Sequence, residues 1–156
     1  MEAIKWEIKP FQKLSLVEFH DIVALRIAVF IVEQNCPYQE VDGKDIEAIH
    51  VIGRKNDGRV IATARILPKG IGYPEIAIGR VVTAQSIRHL KMGHKLMDVC
   101  MTYIKDKYPN ENVKLSAQSH LVNYYGKHEF QETGKHYLED DIPHSEMLYE
   151  SNLMAK

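Results

Sequence analysis

The first third of the chain changes from a strand-like to a helix-like spacing of apolar residues. Apolar and polar residues alternate over residues 3–9, which predicts a strand that ends at Pro10. Ser15 and Glu18 have the spacing of a capping box, in which two residues satisfy free amides at the start of a helix. Apolar residues then recur at helical spacing, and the predicted helix has ended by Pro37.

Strand-like runs fill the middle of the chain. Residues 46–54 and 59–67 have strand composition, and the Asp-Gly pair between them predicts a hairpin with antiparallel strands. Residues 76–82 are apolar nearly throughout, as in a strand that is covered on both faces. A basic loop then leads into residues 96–104, whose apolar spacing predicts a helix.

The last third completes the pattern with shorter elements. It predicts a strand at residues 112–118, a short helix at 121–129, and closing strands at 130–137 and 146–149. The order of elements is then β-α-β-β-β-α-β-α-β-β, with no repeat and no linker. This order predicts a single domain over residues 1–156 of the α/β class, an α+β arrangement in which helices flank a central twisted mixed sheet.

Composition and charge narrow the functional classes. With 45% hydrophobic and 26% charged residues, the chain has the composition of a globular protein. Its 20 Lys and Arg against 21 Asp and Glu leave no basic excess, which argues against a nucleic-acid-binding protein. No apolar run reaches the length of a signal-peptide core or a membrane span. We therefore expect a cytoplasmic protein that binds neither nucleic acid nor membrane.

The cysteines and histidines give no sign of a metal site. Cys36 and Cys100 stand far apart without a metal-ligand spacing, so two reduced thiols are favoured over a single disulfide. The eight histidines form no zinc-binding pattern, and we expect no metal. Cys36 also lacks the base and the electropositive surroundings that a thiol nucleophile needs, so we interpret it as structural.

The junction between the strand at residues 76–82 and the following helix has the chemistry of an anion site. Amides at the start of a helix have no intrahelical partner and carry the positive end of the helix dipole. Arg88 and Lys91 add charge, and Gly93 allows a phosphate oxygen to approach without a Cβ in the way. The predicted donors are the amides of Leu90, Lys91, Met92, Gly93 and His94. A solvated basic turn is the alternative.

This junction resembles the acyl-CoA-binding motif of the GNAT superfamily of N-acetyltransferases. That motif begins with Arg or Gln, has Gly three positions later, and ends with Gly or Ala two positions after that. Arg88 and Gly93 match its ends, and Lys91 stands at its first glycine. The similarity continues at Tyr125, which lies five positions before Phe130, the spacing of the family's tyrosine from its Gly-Phe pair.

Further segments are similar to one branch of the superfamily. Residues 29–43 and 137–144 resemble its ElaA-like branch, and with residues 78–82 the similarity covers nearly the whole chain. Glu129 replaces the glycine of the Gly-Phe pair. The resemblance implies a GNAT fold and the direct transfer of an acetyl group from acetyl-CoA to a primary amine in a ternary complex.

The resemblance also implies roles for particular residues. The backbone of Val81 and Val82 would pair with the pantetheine arm and stabilise the oxyanion, and the amides of residues 90–94 would hold the pyrophosphate. Tyr125 would protonate the leaving thiolate, because a tyrosine hydroxyl near the sulfur can act as a general acid. Tyr124 is expected to pack.

No single residue stands out as the base that deprotonates the amine. Glu33, Glu75, His120 and His144 are candidates, since a carboxylate or an imidazole can take up the proton directly or through water. Of these, we place Glu33 and His120 among the predicted catalytic residues.

The acceptor pocket is expected to include Tyr38, Arg80 and His144. Arg80 lies inside an apolar strand, where an unpaired charge is unfavourable, so it needs a carboxylate partner or a position that faces the cleft. The acceptor is either a small-molecule amine or a peptide amine, and a homodimer is possible because many members of the superfamily dimerise. The alternative function is a non-catalytic acyl-CoA-binding sensor or interaction module with the same fold, which the non-glycine residues at positions 89, 91 and 129 favour.

Overall fold

One mixed sheet of seven strands organises the part of the chain that the structure describes. The structure is a computed structural model, and it describes residues 3–151 apart from the side chains of His89 and Leu90. The strands are β1 (Lys5–Pro10), β2 (Ile49–Arg54), β3 (Val60–Leu67), β4 (Ile76–Thr83), β5 (Val113–Gln118), β6 (Gln131–Glu139) and β7 (Ile142–Tyr149). Their order in the sheet is β1-β2-β3-β4-β5-β7-β6.

Three α-helices accompany the sheet within the described residues, so the predicted arrangement of helices beside a mixed sheet is confirmed. They are α1 (Leu16–Arg26), α2 (Met92–Lys107) and α3 (Val122–Gly126). None of the helices within residues 3–151 is long and apolar enough to cross a membrane.

Helix α1 begins as predicted but does not continue as an α-helix. The Ser15 hydroxyl accepts a hydrogen bond from the Glu18 amide at 3.0 Å, and the Glu18 carboxylate accepts one from the Ser15 amide at 2.9 Å, which confirms the capping box. After Arg26 the chain forms a π-helical turn over Ile27–Glu33. Such wider turns are rare and often occur at functional sites.

The hairpin in the middle of the chain is confirmed. Strands β2 and β3 are antiparallel neighbours, and the Lys55 amide closes the turn by donating to the Arg59 carbonyl oxygen at 3.0 Å. Strand β2 begins at Ile49 instead of position 46, because the residues before it form a short 3-10 turn at Lys44–Glu47.

Two element boundaries in the second half were predicted too late in the chain. Helix α2 begins at Met92, directly after Lys91 in a left-handed conformation with φ of 58°. Strand β7 begins at Ile142 because Asp140 and Asp141, with φ of 51° and 64°, form a two-residue turn of the kind that favours positive φ.

Strands β4 and β5 are parallel neighbours that separate after a short contact. Their pairing joins Ile76 with Val113 and Ala77 with Lys114, and the two strands diverge beyond these positions. Strand β4 also contains a bulge, at which Arg80 has a φ of 51° and the register with β3 shifts. The second half of β4 is therefore free of β5 and opens one side of the sheet.

Helix α2 covers one face of the sheet with an apolar stripe. Leu96, Met97, Cys100 and Ile104 are each at most 1% exposed and belong to the main core cluster. Burial raises the pKa of the Cys100 thiol to about 12, which keeps it in the unreactive protonated form. Cys36 is also buried, and both cysteines are free, as predicted.

Candidate active site

The divergence of β4 and β5 opens a cleft of about 940 Å³. Its walls come from the second half of β4, from β5, from the π-helical turn and the loop after it, from the start of α2, from α3 and from the turn between β6 and β7. The cleft brings together most of the predicted site residues: Glu33, Tyr38, Arg80, Val81, Val82, Arg88, Lys91, Gly93, His94, His120, Tyr125 and His144.

Two other predicted residues, Met92 and Glu75, do not line the cleft, and the side chain of Leu90 lies outside the described part of the structure. Met92 is buried in the core, so only its amide is available at the start of α2. Leu90 is the last residue of a 3-10 turn that precedes α2. Glu75 lies outside the lining, where one of its carboxylate oxygens is 3.7 Å from the Lys114 ammonium.

The start of α2 offers three main-chain donors. The amides of Met92, Gly93 and His94 lie in the first turn, where an α-helix supplies no carbonyl partner. The Lys91 amide was predicted to join them, but it donates to the Arg88 carbonyl oxygen at 3.4 Å and is not free. The predicted anion site therefore has fewer amides than the sequence indicated, and they begin at Met92.

Arg88 is paired with a carboxylate at this end of the cleft. Both terminal nitrogens of its guanidinium bond to Glu33, Nη2 to Oε1 at 2.8 Å, and Nη2 also donates to the Thr83 carbonyl oxygen at 3.3 Å. The hydrogen bonds from Arg88 hold the pKa of Glu33 below its ordinary value. A carboxylate of lowered pKa is a weak proton acceptor, so the pairing argues against Glu33 as the base.

Gly93 is needed for close packing as well as for access to the helix amides. A Cβ at this position would lie 2.7 Å from the Tyr124 hydroxyl oxygen. The Tyr124 ring also packs against the His94 ring at 4.5 Å between centroids, and His94 Nδ1 is 2.9 Å from Nε2 of His128. Tyr124 thus packs as predicted, and it fixes the first turn of α2.

Tyr125 lies in the wall of the cleft on the short helix α3. Its side chain is 7% exposed, and burial raises the pKa of its hydroxyl well above the ordinary value. The carbonyl of Tyr125 accepts hydrogen bonds from the amides of His128 and Phe130, at 2.9 and 3.4 Å, which hold the end of α3. A buried tyrosine that stays protonated is suited to donate a proton and not to accept one.

A group of charged residues, four of them buried, borders another part of the cleft, and we call it the arginine network. Its members are Arg26, Arg65, Arg80, Glu40, Asp42 and Asp45. Arg26 Nε is 2.5 Å from Glu40, and its Nη1 is 2.9 Å from Asp45. Arg65 binds Asp45 at 3.1 Å and Asp42 at 2.7 Å. The network joins α1, β3 and the loop before β2.

Arg80 connects the arginine network to the cleft. Its Nε donates to Glu40 at 2.8 Å, and its guanidinium lies 5.6 Å from the centre of the Tyr38 ring. The Tyr38 hydroxyl in turn bonds to Glu40. Arg80 therefore has both of the features that the sequence left as alternatives, a carboxylate partner and a position in the wall of the cleft.

The two predicted histidines of the cleft differ in their surroundings. His120 is exposed in the 3-10 turn before α3, and no described residue fixes its ring. His144 is 7% exposed on β7, and its Nδ1 lies 2.7 Å from the Ile142 carbonyl oxygen. Its Nε2 lies 3.4 Å from the Glu139 carboxylate. The ring of His144 is thus held in one orientation, whereas that of His120 is not.

Sequence reasoning missed the members of the arginine network other than Arg80. One signal was visible, since Arg26 falls between the apolar positions of the first helix, where a charge needs a buried partner. The identity of that partner was not visible, because Asp45 follows 19 positions later, in the 3-10 turn before β2. Among the described residues, no group of three or more His, Cys, Asp or Glu is arranged to hold a metal ion.

Comparison with known proteins places this site in a family. Residues 21–151 match the acetyltransferase (GNAT) domain. The chain is 38% identical to Escherichia coli ElaA over 149 residues, which cover 94% of this chain and 97% of ElaA. It is also 36% identical over 146 residues to a UPF0039 protein of Synechocystis, covering 94% of this chain and 95% of that protein.

Solved structures agree with these sequence relationships. The crystal structure of Escherichia coli ElaA superposes with a TM-score of 0.88, at 37% identity, over 95% of this chain and 100% of that one. An acyl-CoA N-acyltransferase from Pseudomonas aeruginosa also gives a TM-score of 0.88, at 38% identity, over 94% of this chain and 99% of that one. The chain therefore belongs to the GNAT acetyltransferase family, in the branch that contains ElaA.

Proposed function

We propose that the protein transfers an acetyl group from acetyl-CoA directly to a primary amine while both are bound in the cleft. The observation that carries the proposal is the separation of β4 from β5 after Ala77. It leaves the main-chain groups of β4 that face β5 without strand partners. An extended pantetheine arm can pair with such groups around Val81 and Val82 as an additional strand would.

The start of α2 supports the binding of the pyrophosphate of acetyl-CoA. The first-turn amides of Met92, Gly93 and His94 point toward the start of α2, where the helix dipole favours an anion. Arg88 and Lys91 stand beside these amides and add positive charge. The residues present therefore fit a phosphate group, although Arg88 must share its guanidinium between the phosphate and Glu33.

The chemistry that we propose uses two features of the cleft. The amine nitrogen attacks the thioester carbonyl, and a main-chain N–H of the Val81–Val82 segment stabilises the oxyanion. The carbon–sulfur bond then breaks, and Tyr125 donates its hydroxyl proton to the leaving thiolate. Burial raises the pKa of the Tyr125 hydroxyl, so the group enters the reaction in its protonated form.

The experiment combines a binding measurement with a search for the acceptor. Calorimetry with acetyl-CoA measures binding, and thiol release with acetyl-CoA measures turnover of putrescine, free lysine and a short peptide with a free N-terminus. We expect Tyr125→Phe to lower kcat about 100-fold, the ordinary contribution of a general acid, with little change in the Kd of acetyl-CoA. Tyr103→Phe on α2, which lies outside the cleft, is the matched control.

Three results would contradict the proposal. If the protein binds acetyl-CoA but releases no thiol from it in the presence of any of these amines, a non-catalytic acyl-CoA-binding module is favoured. Failure to bind acetyl-CoA would contradict both functions. Equal turnover by Tyr125→Phe and the unchanged protein would remove Tyr125 from the mechanism.

A further inference from the structure

Transfer to an amine needs a base in the cleft. A primary amine is protonated at neutral pH and cannot attack a carbonyl until one proton has left its nitrogen. Among the described side chains of the cleft, those that can accept a proton are Glu33, Asp42, Glu139, Asp140, His94, His120 and His144. Their surroundings differ enough to separate them.

Two carboxylates of the cleft are already paired with arginines. Glu33 is held by Arg88 on both oxygens. Asp42 is held by Arg65, with Nη2 at 2.7 Å and Nη1 at 2.9 Å. Burial alone would raise the pKa of Asp42, but the hydrogen bonds from Arg65 and from the Lys44 amide outweigh it and hold that pKa below its ordinary value. Neither group is disposed to take a proton.

The remaining carboxylates and two of the histidines are poorly placed. Glu139 and Asp140 lie at the exposed rim, next to the turn between β6 and β7. His94 is in the first turn of α2, at the end of the cleft that suits the phosphates, and its Nδ1 is engaged with His128. His120 is exposed and has no described partner that orients its ring.

His144 is the group that is both buried and oriented. A carbonyl oxygen can only accept, so the 2.7 Å contact with Ile142 places a proton on Nδ1. In the neutral ring Nε2 then carries the lone pair, and this atom is the one beside Glu139, at 3.4 Å from Oε2. The stacked Tyr137 ring, 6.1 Å away between centroids, limits rotation of the imidazole.

We propose that His144 is the general base, and that its Nε2 removes a proton from the ammonium group of the acceptor. This inference rests on the proposed function. The Glu139 carboxylate, 3.4 Å from Nε2, faces the positive charge that the ring gains in this step. Glu139 is itself a positioning residue, with a side chain that is 53% exposed and reaches solvent.

The protons and electron pairs of the reaction balance. Nε2 of His144 takes one proton from the ammonium nitrogen, whose lone pair forms the new bond to the thioester carbon. Collapse of the intermediate breaks the carbon–sulfur bond, and the thiolate takes the hydroxyl proton of Tyr125. The nitrogen loses its second proton to the Tyr125 phenolate, so that one proton remains on His144 and passes to solvent.

The test replaces the base and keeps its hydrogen bond. In His144→Asn the side-chain amide can still donate to the Ile142 carbonyl, but no atom replaces Nε2. We expect kcat/KM for the acceptor amine to fall about 100-fold or more, the usual size of general-base catalysis, with the Kd of acetyl-CoA unchanged. His20→Asn, on the exposed side of α1 and outside the cleft, is the matched control.

The pH profile separates a base from a merely structural histidine. With the amine that gives the highest kcat/KM, activity of the unchanged protein should fall on the acid side, because a protonated base cannot take a proton from the amine. In His144→Asn this limb should disappear, and the remaining rate should rise with pH as free amine accumulates. The titratable groups around the ring are Tyr137 and Glu139 on β6, whereas its partner across on β5 is the uncharged Gln118.

A second variant keeps the test decisive if His144→Asn does not fold. Glu139→Gln removes the exposed carboxylate beside Nε2 and should lower kcat/KM for the acceptor amine with the Kd of acetyl-CoA unchanged, because the ring loses the charge that faces its proton-accepting atom. An unchanged kcat/KM in Glu139→Gln, or an acid limb that disappears in His120→Asn but persists in His144→Asn, would overturn the assignment of His144. The absence of turnover in the unchanged protein would instead contradict the proposed function itself.

Discussion

Two groups of paired arginines border the same cleft and differ in burial. The side chains of Arg88 and Glu33, beside the start of α2, are 38% and 33% exposed. Those of Arg26 and Asp45, in the arginine network, are 1% and 2% exposed. Exposed ion pairs contribute little to stability and can exchange partners, whereas loss of one partner from a buried pair leaves an uncompensated charge. The same pairing chemistry therefore leaves one arginine available to a ligand and fixes the other in the fold.

The bulge of β4 shows why the arginine network, unlike the exposed pair of Arg88 and Glu33, needs to be fixed. Arg80 has the left-handed backbone conformation that a bulky residue rarely adopts, and its side chain is held by Glu40. Glu40 is in turn held by the fully buried Arg26. The network thus secures the strand segment whose main chain we propose to contact the thioester. A movable pair could not keep that backbone in place.

The largest effect on stability is expected when a buried carboxylate of the arginine network is removed. Asp45→Asn removes the charge that faces both Arg26, at 2.9 Å, and Arg65, at 3.1 Å. We expect the free energy of unfolding to fall by about 3–5 kcal/mol, because two buried guanidinium groups lose a common partner. Urea denaturation followed by circular dichroism measures this change.

A matched control uses an exposed pair. Glu111 lies 3.1 Å from Lys69, with side chains that are 34% and 57% exposed. Glu111→Gln should change the free energy of unfolding by no more than about 1 kcal/mol. Equal losses in Asp45→Asn and Glu111→Gln would show that burial does not distinguish the two kinds of pair.

This buried network also marks the limit of what the sequence could predict. Features that depend on neighbours in the chain were predictable, such as the capping box of Ser15 and Glu18 and the hairpin between β2 and β3. The recognised motif also led to Tyr125, which does line the cleft. The partners of Arg26 were not predictable, because Glu40 and Asp45 follow it by 14 and 19 positions, in the segment before β2. Such contacts follow from the packing of distant segments and not from local spacing.

The pairing of Glu33 with Arg88 shows the same limit at the exposed side of the cleft. The two residues are 55 positions apart, so neither the spacing of the motif nor the helical pattern indicated that they meet. The π-helical turn that carries Glu33 was also invisible, since its apolar residues suit an α-helix equally well. From the sequence alone Glu33 was a reasonable candidate for a base. In the structure it competes with a phosphate ligand for Arg88.

The second prediction concerns a substitution that weakens the exposed pair of Glu33 and Arg88. Glu33→Gln removes the charge that competes with a phosphate for Arg88, so acetyl-CoA should bind more tightly. We expect the Kd to fall about fivefold, which corresponds to the roughly 1 kcal/mol of an exposed ion pair. Calorimetry measures the affinity, and Arg88→Gln should change it in the opposite direction.

Turnover of the same variant tests the prediction that placed Glu33 among the candidate bases. If Glu33 only competes for Arg88, kcat with the best amine stays close to that of the unchanged protein. A large loss of kcat in Glu33→Gln, with a pH profile that loses its acid limb, would return Glu33 to the catalytic residues. It would also contradict the assignment of His144.

The smallest effects are expected at two residues that stand where the family motifs have glycine. Lys91 and Glu129 both have positive φ, at 58° and 72°. Replacing either with glycine relieves a left-handed strain of roughly 1–2 kcal/mol and adds chain entropy worth about 0.5–1 kcal/mol to the unfolded state. Thermal unfolding should therefore show a gain of about 0.5–1 kcal/mol in both Lys91→Gly and Glu129→Gly.

The pair of glycine variants separates stability from ligand binding at the exposed side of the cleft. Lys91 lines the cleft beside Arg88, whereas Glu129 lies outside it and contacts Lys105 at 3.2 Å on the surface. If the charge of Lys91 serves the phosphate, Lys91→Gly loses up to about fivefold in affinity for acetyl-CoA while it gains stability. Glu129→Gly gains stability alone. Unchanged affinity in Lys91→Gly would show that the helix amides and Arg88 hold the phosphate without this ammonium group. It would also show that a lysine at the first glycine position of the motif does not weaken the binding of acetyl-CoA.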